Sequence, residues 1–213
     1  MDKARVIKAV EQLAAEKQRK FQQSYDLVIT LKDVNVKTQP IDTFIVLPHS
    51  RGKQVKICAL VGQELAEQAG TACDLVVREM QFDSYKGNAK NTKELAKTYD
   101  FFIAQANLMT QIAAVFGRTF GPRGKMPNPK AGCVVPPQAN LSVLKERLQK
   151  TVHVKTKEAL MLQCIIGNES MNATEVADNV VAVVQQIAKI LPQEEQNIAR
   201  VYLKKTMSKP ITV

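Results

Sequence analysis

The 213-residue chain contains no tryptophan, and aromatic residues make up only 5% of it. Proteins that bind single-stranded nucleic acid stack bases on aromatic side chains, so this composition argues against a single-strand platform. The longest apolar runs, such as VVAVV at 180–184, are far shorter than the ~20 residues that cross a bilayer. The first twenty residues mix charged and apolar side chains without a hydrophobic leader segment, so neither a membrane span nor a secretory signal is predicted.

Cysteine and histidine are also scarce, and neither supplies a metal-binding or catalytic motif. The cysteines include no CxxC pair, so reduced, mostly buried thiols of a cytosolic protein are predicted rather than a metal site or a disulfide framework. His49 and His153 lack a paired nucleophile, which favours a structural or phosphate-contacting role over general-base catalysis. No catalytic residue, metal ligand or cofactor is predicted. The four cysteines are Cys58, Cys73, Cys133 and Cys164.

Acidic residues are missing from two long parts of a strongly basic chain. The net charge is +10 and the pI is about 9.5. The segment from Phe101 to Lys145 contains five cations and no acid, and the last fifteen residues contain four cations and no acid. Clustered like charges repel one another, and a bound phosphate backbone relieves that repulsion. The predicted partner is therefore nucleic acid, and folded RNA suits the low aromatic content better than single strands do.

Strand-like and helical runs alternate between residues 55 and 150, which predicts βαβ units and a mostly parallel sheet. The flanking segments have an α+β pattern instead. Their predicted elements are a helix at 3–20, strands at 25–32 and 41–48, two paired strands (TVHVKTK and LMLQCIIG) joined by a short turn near Glu158, a helix at 172–191 and a strand at 198–207. The economical interpretation is a discontinuous outer domain made of both termini, 1–50 and 152–213, interrupted by an inserted domain at 51–151.

Three local signals refine the predicted helices. Gly70 is expected to stop the short helix of QELAEQAG, because glycine commonly ends helices. Asn107 is expected to cap the helix LMTQIAAVF. Asn172, followed three residues later by Glu175, has the spacing of a capping box.

The loop GRTFGPRGKMPNPKAG at 117–132 combines four glycines, three prolines and four cations without an acid. A nucleotide-hydrolysing P-loop is disfavoured, because Met126 follows Gly124-Lys125 where a Ser or Thr is needed, and Thr119 replaces the first glycine. ALVGQELAEQAG likewise lacks the glycines of a dinucleotide site. Two interpretations remain open for the loop: a preshaped phosphate-binding loop, and a rigid connector with solvated cations.

Five segments stand in an order and spacing typical of one known family. They are LPHSRGK (47–53), DFFIAQANLM (100–109), FGPRGKMPNP (120–129), GNESMNATEVADNV (167–180) and YLKKTMS (202–208). Together they resemble the large-subunit ribosomal proteins of the L-one family, most closely the archaeal form, over nearly the whole chain. The resemblance implies an α/β fold with two domains joined by a hinge: a discontinuous α+β outer domain, and an inserted Rossmann-like βαβ domain.

The same resemblance implies a function and a location. A member of this family binds large-subunit rRNA of the mobile stalk beside the E site, and helps deacylated tRNA to leave. It also represses translation by binding a similar structure in its own mRNA. The expected setting is the cytoplasmic ribosome, with other ribosomal components as partners, no membrane, no cofactor, and a monomer when free.

The family's main RNA surface lies on the outer domain. Thr206 can bond a 2′-hydroxyl, Phe21 and Met207 can lie against sugars and bases, and cations can meet phosphates. Without the resemblance, core packing would be the preferred interpretation of Phe21 and Met207. Ser208 and Ser50 stand where the family usually has glycine. Carried over by matched position, the RNA-binding residues are Lys20, Phe21, Asp26, Arg200, Thr206, Met207 and Ser208.

Charge counting points to the inserted domain instead. Residues 51–151 carry fifteen Lys and Arg against eight Asp and Glu, a net charge of +7, whereas the outer pieces carry fifteen against twelve, a net charge of +3. We therefore assign secondary RNA or tRNA contacts to Arg118, Arg123, Lys125 and Lys130. Two other functions stay open from sequence: a nucleotide- or phosphometabolite-binding enzyme of the α/β class, and a dedicated translational repressor that never joins the ribosome.

Overall fold

The computed structural model describes residues 2–16, 19–35, 39–156 and 159–213. Its α-helices, α1 to α7 in chain order, are Lys3–Ala15, Ala66–Ala72, Phe82–Tyr85, Ala89–Thr98, Met109–Phe120, Leu141–Gln149 and Ala173–Ile190. Its strands, β1 to β10, are Ser24–Leu31, Asp42–Val46, Ile57–Val61, Leu75–Arg78, Phe101–Gln105, Val134–Val135, Thr151–Lys155, Met161–Asn168, Ile198–Lys205 and Ile211–Thr212. The chain divides into two compact units: the terminal unit, Met1–Lys53 with Lys150–Val213, and the inserted unit, Gln54–Gln149.

The terminal unit is built on an antiparallel sheet with strand order β10-β9-β1-β8. Side chains alternate along β1, so that its odd-numbered residues from Tyr25 to Leu31 are buried and its even-numbered ones are half-exposed. The buried side forms one hydrophobic core with α1 and α7. We call the opposite side, which carries Asp26, Val28 and Thr30, the open sheet face.

The predicted pairing of TVHVKTK with LMLQCIIG is wrong. β7 pairs with β2, whereas β8 pairs with β1 in the larger sheet. Alternation identifies a strand but does not specify its partner, and strands adjacent in sequence need not be adjacent in a sheet. The predicted turn at Glu158 lies outside the described residues. The Leu47 N–H donates to the Lys150 carbonyl at 2.9 Å, so the chain leaves and re-enters the terminal unit at adjacent points.

The inserted unit contains a wholly parallel sheet with strand order β4-β3-β5-β6. Every residue of β3 is buried, as expected for a central strand covered on both faces. Helices connect successive strands, which confirms the predicted βαβ architecture and the α/β fold class. In the core between α5 and the sheet, the ring of Phe120 stacks on that of Phe116 and lies tilted against that of Phe102.

The local helix signals had mixed outcomes. Asn172 opens α7 with the predicted capping box, and its N–H donates to Glu175 Oε2 at 3.2 Å. Gly70 does not stop α2, which continues to Ala72, because Gly70 does not adopt the positive φ with which a glycine ends a helix. Asn107 does not cap α5 either, because it lies inside a short 3-10 turn at Ala106–Leu108 that precedes the helix.

All four cysteines are free thiols, and burial raises the pKa of each one. The pKa rises to about 12 for Cys58, Cys133 and Cys164, and to about 11 for the half-buried Cys73. Because the thiolate is the reactive form, these thiols are poor nucleophiles at neutral pH.

We predict that a colourimetric disulfide reagent at pH 7 modifies none of the four thiols rapidly in the folded protein, with Cys73 the first to react. Raising the pH toward 10 should accelerate Cys73 before the others, and denaturant should release all four at once. A thiol that reacts within seconds at pH 7 would contradict the burial described here.

Candidate RNA-binding surface

The segment that precedes β1 and the turn that follows β9 lie side by side. The Thr206 N–H donates to the Ser24 carbonyl at 3.1 Å, and the Ser24 N–H donates to Thr206 Oγ1 at 3.2 Å. Beyond this reciprocal pair, the Met207 N–H donates to Gln23 Oε1 at 3.1 Å. The turn at residues 206–208, which we call the exit turn, is therefore held against the residues that precede β1.

The side chains around this junction point outward. Phe21 is 51% exposed and Met207 is 60% exposed, so the alternative in which they pack in the core is wrong. Phe21 and Lys20 line an open depression of about 520 Å³, together with Arg19, Tyr25 and Ser170. The surface thus combines apolar patches, cations and hydroxyls around a concavity, a combination suited to the sugars, bases and phosphates of RNA.

The serines that replace glycines fit their turns without strain. Among the described residues other than glycine, a positive φ occurs at Asp33 and Glu194, so neither Ser50 nor Ser208 requires left-handed backbone. The Ser208 hydroxyl accepts the Lys205 N–H at 2.7 Å and donates to the Lys209 carbonyl at 3.1 Å. It therefore closes the exit turn from within.

Asp26 and Arg200 lie on the open sheet face. Asp26 is close to the exit turn along the sheet, and Arg200 is farther from it. In the register of β1 with β9, Asp26 faces Lys204 and Thr30 faces Arg200. Four residues of strand separate these pairs, so Arg200 stands about 13 Å beyond Asp26 along the sheet. The predicted residues therefore form one cluster at the exit turn and an extension along the sheet that ends at Arg200.

The open sheet face between Asp26 and Arg200 holds residues that sequence reasoning missed. Val28 pairs with Gln163 on one side and with Tyr202 on the other. The period-2 alternation of β1 would have placed Val28 beside Asp26, but only the cross-strand register adds Gln163 and Tyr202. A depression of about 270 Å³ lies in this region, lined by Asp26, Val28, Gln163, Cys164, Ile165 and Lys204.

Electrostatic interactions on this face are local. Burial raises the pKa of Asp26, and the attraction of Lys204 partly opposes that rise. A hydrogen bond with the Tyr202 side chain raises the pKa of the exposed Arg200 guanidinium, which therefore stays cationic. Each of these two charges thus interacts with a residue of β9 on the same face.

An ion pair between the buried Lys205 and the partly exposed Glu169 lies beside the exit turn. Lys205 Nζ is 2.9 Å from Glu169 Oε1, and the Lys205 side chain is only 3% exposed. Gln23 donates its backbone N–H to Glu169 Oε2 at 2.9 Å and its side-chain amide to Glu169 Oε1 at 3.2 Å. Burial alone would raise the pKa of Glu169, but these hydrogen bonds and the Lys205 ammonium outweigh it and hold the pKa below its ordinary value.

The four cations predicted for secondary contacts in the inserted unit differ in their surroundings. Lys125 Nζ donates to the carbonyls of Tyr99 and Asp100 at 3.1 and 3.0 Å, and is mostly buried. Arg123 donates to the Lys93 carbonyl at 3.0 Å and remains exposed. These three bonds tie the loop to α4 and the residues just after it, which favours the rigid-connector interpretation for that part of the loop. Arg118 and Lys130 are exposed.

Comparison with known proteins identifies the family. The model of the Ribosomal protein L1p/L10e family matches residues 13–209. The chain belongs to this family. Among curated proteins, the "Large ribosomal subunit protein uL1" of Methanocaldococcus jannaschii is 37% identical over 100% of this chain and 96% of its own length. The protein of the same name from Nanoarchaeum equitans is 40% identical over 92% of this chain and 93% of its own length. That from Pyrococcus horikoshii is 36% identical over 100% of this chain and 96% of its own length.

Membership of the L1p/L10e family confirms the family predicted from sequence, and confirms that the chain is a ribosomal protein rather than an enzyme. The structure supplies a physical reason why the inserted unit makes a poor nucleotide site. The Gly62 N–H, at the end of β3 where a pyrophosphate would be cradled, donates instead to Gln105 Oε1 at 2.9 Å. Gln105 is buried, and its amide donates in turn to Glu64 Oε2 at 3.2 Å.

Neither a metal-binding cluster nor a membrane-crossing helix occurs among the described residues. Within residues 2–16, 19–35, 39–156 and 159–213, no three His, Cys, Asp or Glu side chains are grouped so that they could hold a metal ion. Over the same residues, no helix has the length and apolar character needed to cross a bilayer.

We predict that Glu169→Gln lowers the free energy of unfolding by roughly 3 kcal/mol at pH 7, because Lys205 would be left as a buried unpaired cation. The folded-state pKa of Glu169 lies below its unfolded value, so its contribution is present above about pH 4.5 and is lost as the pH falls through the folded pKa. Urea unfolding at pH 7 and pH 3 should therefore show the difference between wild type and variant shrinking in acid. An equal difference at both pH values would contradict the ion pair.

Proposed function

We propose that this chain is a structural constituent of the large ribosomal subunit that binds rRNA of the mobile stalk near the E site. The observation that carries the proposal is the meeting of both chain ends in one exposed surface. Lys20 and Phe21 precede β1, and Thr206, Met207 and Ser208 follow the strand that pairs with it. The archaeal relatives bear the name of a large-subunit protein, which supports the same assignment.

The surface is suited to recognise RNA by shape. The exit turn is fixed by backbone and side-chain hydrogen bonds before any ligand binds, so little conformational entropy is lost on docking. Phe21 and Met207 offer apolar contact area to sugars and bases, while Lys20 supplies charge for phosphates. The open sheet face lets the same RNA extend past Asp26 to Arg200.

We assign the inserted domain, 51–151, a subsidiary role. Its exposed cations Arg118, Arg123 and Lys130 contact rRNA or the departing tRNA weakly, through phosphates. Lys125 contributes by shaping the loop rather than by meeting RNA, because its ammonium is engaged by two carbonyls. The outer domain, 1–50 with 152–213, binds the stalk, and the inserted domain assists release of deacylated tRNA as the stalk moves.

The same surface would also repress translation of the protein's own mRNA, by binding that mRNA. An mRNA segment that folds like the stalk RNA would present the same sugars and phosphates to the exit turn, and would therefore compete with rRNA for one site. The free protein, which we propose to be a monomer, would bind the message only when rRNA is saturated.

We predict that Thr206→Ala and Met207→Ala each raise the Kd for a stalk RNA transcript about tenfold, the change expected from losing one well-placed contact. Neither should lower the melting temperature by more than a few degrees, because the Met207 side chain is exposed and the Ser24 N–H, which loses Thr206 Oγ1 as its acceptor, lies near the surface and can bond to water. The same ratios should appear with a transcript of the chain's own mRNA leader.

Matched controls are Met80→Ala, which truncates a methionine that is 84% exposed, and Thr71→Ala, which truncates an exposed threonine of α2. Neither should change the Kd. If Thr206→Ala and Met207→Ala bind like wild type, the RNA surface is misplaced. If they weaken rRNA binding but not mRNA binding, the shared-surface account of repression is wrong.

A further inference from the structure

We propose that Gln23 and Glu169 are positioning residues that hold the exit turn in its RNA-binding conformation. The proposal rests on the proposed function, because it concerns the same RNA surface. Neither residue belongs to the set carried over from the family. Gln23 is buried beneath the turn, whereas Glu169 is partly exposed, at 22%, in the wall of the depression beside Phe21.

Gln23 links the start of β1 to the exit turn through a single side chain. Its side-chain oxygen accepts the Met207 N–H at 3.1 Å, and its own side chain is almost fully buried at 4% exposure. The Met207 side chain is exposed while its backbone is held from below. A change in Gln23 would therefore move Met207 without removing any surface atom.

Glu169 determines which way the Gln23 amide points. The carboxylate accepts from the Gln23 side-chain NH₂ and from the Gln23 backbone N–H, and the Glu169 N–H donates to the Gln23 carbonyl at 3.1 Å. With the NH₂ committed to the carboxylate, the amide oxygen is left to face the Met207 N–H. The carboxylate thus acts on the exit turn through Gln23.

Lys205 neutralises the negative charge of Glu169 next to the proposed RNA surface. Its ammonium lies 2.9 Å from Glu169 Oε1, so the pair adds no net charge where phosphates would approach. Lys205 is also the last residue of β9, and its N–H donates to Ser208 Oγ at 2.7 Å. The exit turn is consequently held by Gln23 at its middle residue, Met207, and its last residue, Ser208, is tied back to Lys205.

Simple charge counting and positioning predict opposite results for Glu169→Gln. Removing an acid close to phosphates raises the local positive charge and should tighten RNA binding if electrostatics alone mattered. If Glu169 acts by orienting Gln23, the same change frees the amide to rotate and should weaken binding. The sign of the change in Kd therefore separates the two explanations.

The test uses the full chain with Gln23→Met, which keeps the side-chain volume but removes both polar contacts. We expect the Kd for stalk RNA to rise about tenfold, with the slope of log Kd against log salt unchanged, because no phosphate contact is lost. Amide hydrogen exchange of Met207 in the RNA-free protein should accelerate at least tenfold. Glu169→Gln should raise both quantities in the same direction.

Two comparisons exclude a general loss of stability. Thr156→Val removes the hydroxyl of a buried threonine that accepts the Ile41 N–H at 3.0 Å, at the end of β7. It should lower the melting temperature while leaving the Kd unchanged. A double-mutant cycle of Gln23→Met with Met207→Ala should be non-additive, since Gln23 has little left to position once the Met207 side chain is gone.

The outcomes are distinct. Faster Met207 exchange with an unchanged Kd overturns the positioning role, as do additive effects in the cycle or tighter binding by Glu169→Gln. Unchanged exchange in Gln23→Met shows that the amide does not fasten the turn, and also overturns it. If Met207→Ala itself leaves the Kd unaltered, the proposed RNA surface fails, and the exchange result still reports separately on the turn.

Discussion

The pairing of β1 with β9 is the constraint on which the remaining features of the terminal unit depend. It joins residues 24–31 to residues 198–205, and so places the segment before the first strand against the segment after the last long one. The exit turn, Phe21 and the Lys205–Glu169 ion pair all lie where β1 begins and β9 ends. An antiparallel ladder fixes register to the residue, because a one-residue slip would turn the buried side outward. Any change that shifts β9 would therefore dismantle the RNA surface and the core together.

The net charge of +10 overstates the positive charge that this protein offers to RNA. Lys205 is buried and paired, Lys125 is bound to carbonyl oxygens, and Arg123 ties a loop to α4. Such cations stabilise the fold or shape a loop, so counting them overestimates the charge offered to RNA. The concavity beside Phe21 and the hydroxyls of the exit turn offer shape and hydrogen-bonding partners, which folded RNA requires of a specific site.

Sequence periodicity predicted the longer strands and helices, because each of these was long enough to show its repeat. It did not predict partners: β7 and β8 are neighbours in sequence but belong to different sheets, and the short β10 carried too little pattern to detect. The resemblance to the family predicted that Phe21 and Met207 lie on the RNA surface. Their apolar character alone would have predicted core positions. Gln23 and Glu169 are 146 residues apart, so their hydrogen bond was visible only once the register of the sheet was known.

The central claim is that the patch formed by the two chain ends supplies most of the affinity for stalk RNA. Replacing residues 54–149 with a short bridge tests it most directly, since Val55 and Gln149, at the two ends of the excised segment, are joined by two hydrogen bonds of 2.9 and 2.8 Å. After confirming the fold by amide NMR, we expect the shortened protein to bind stalk RNA within about tenfold of the full chain, with a shallower salt dependence. Loss of stalk RNA binding by a folded shortened protein would contradict the account.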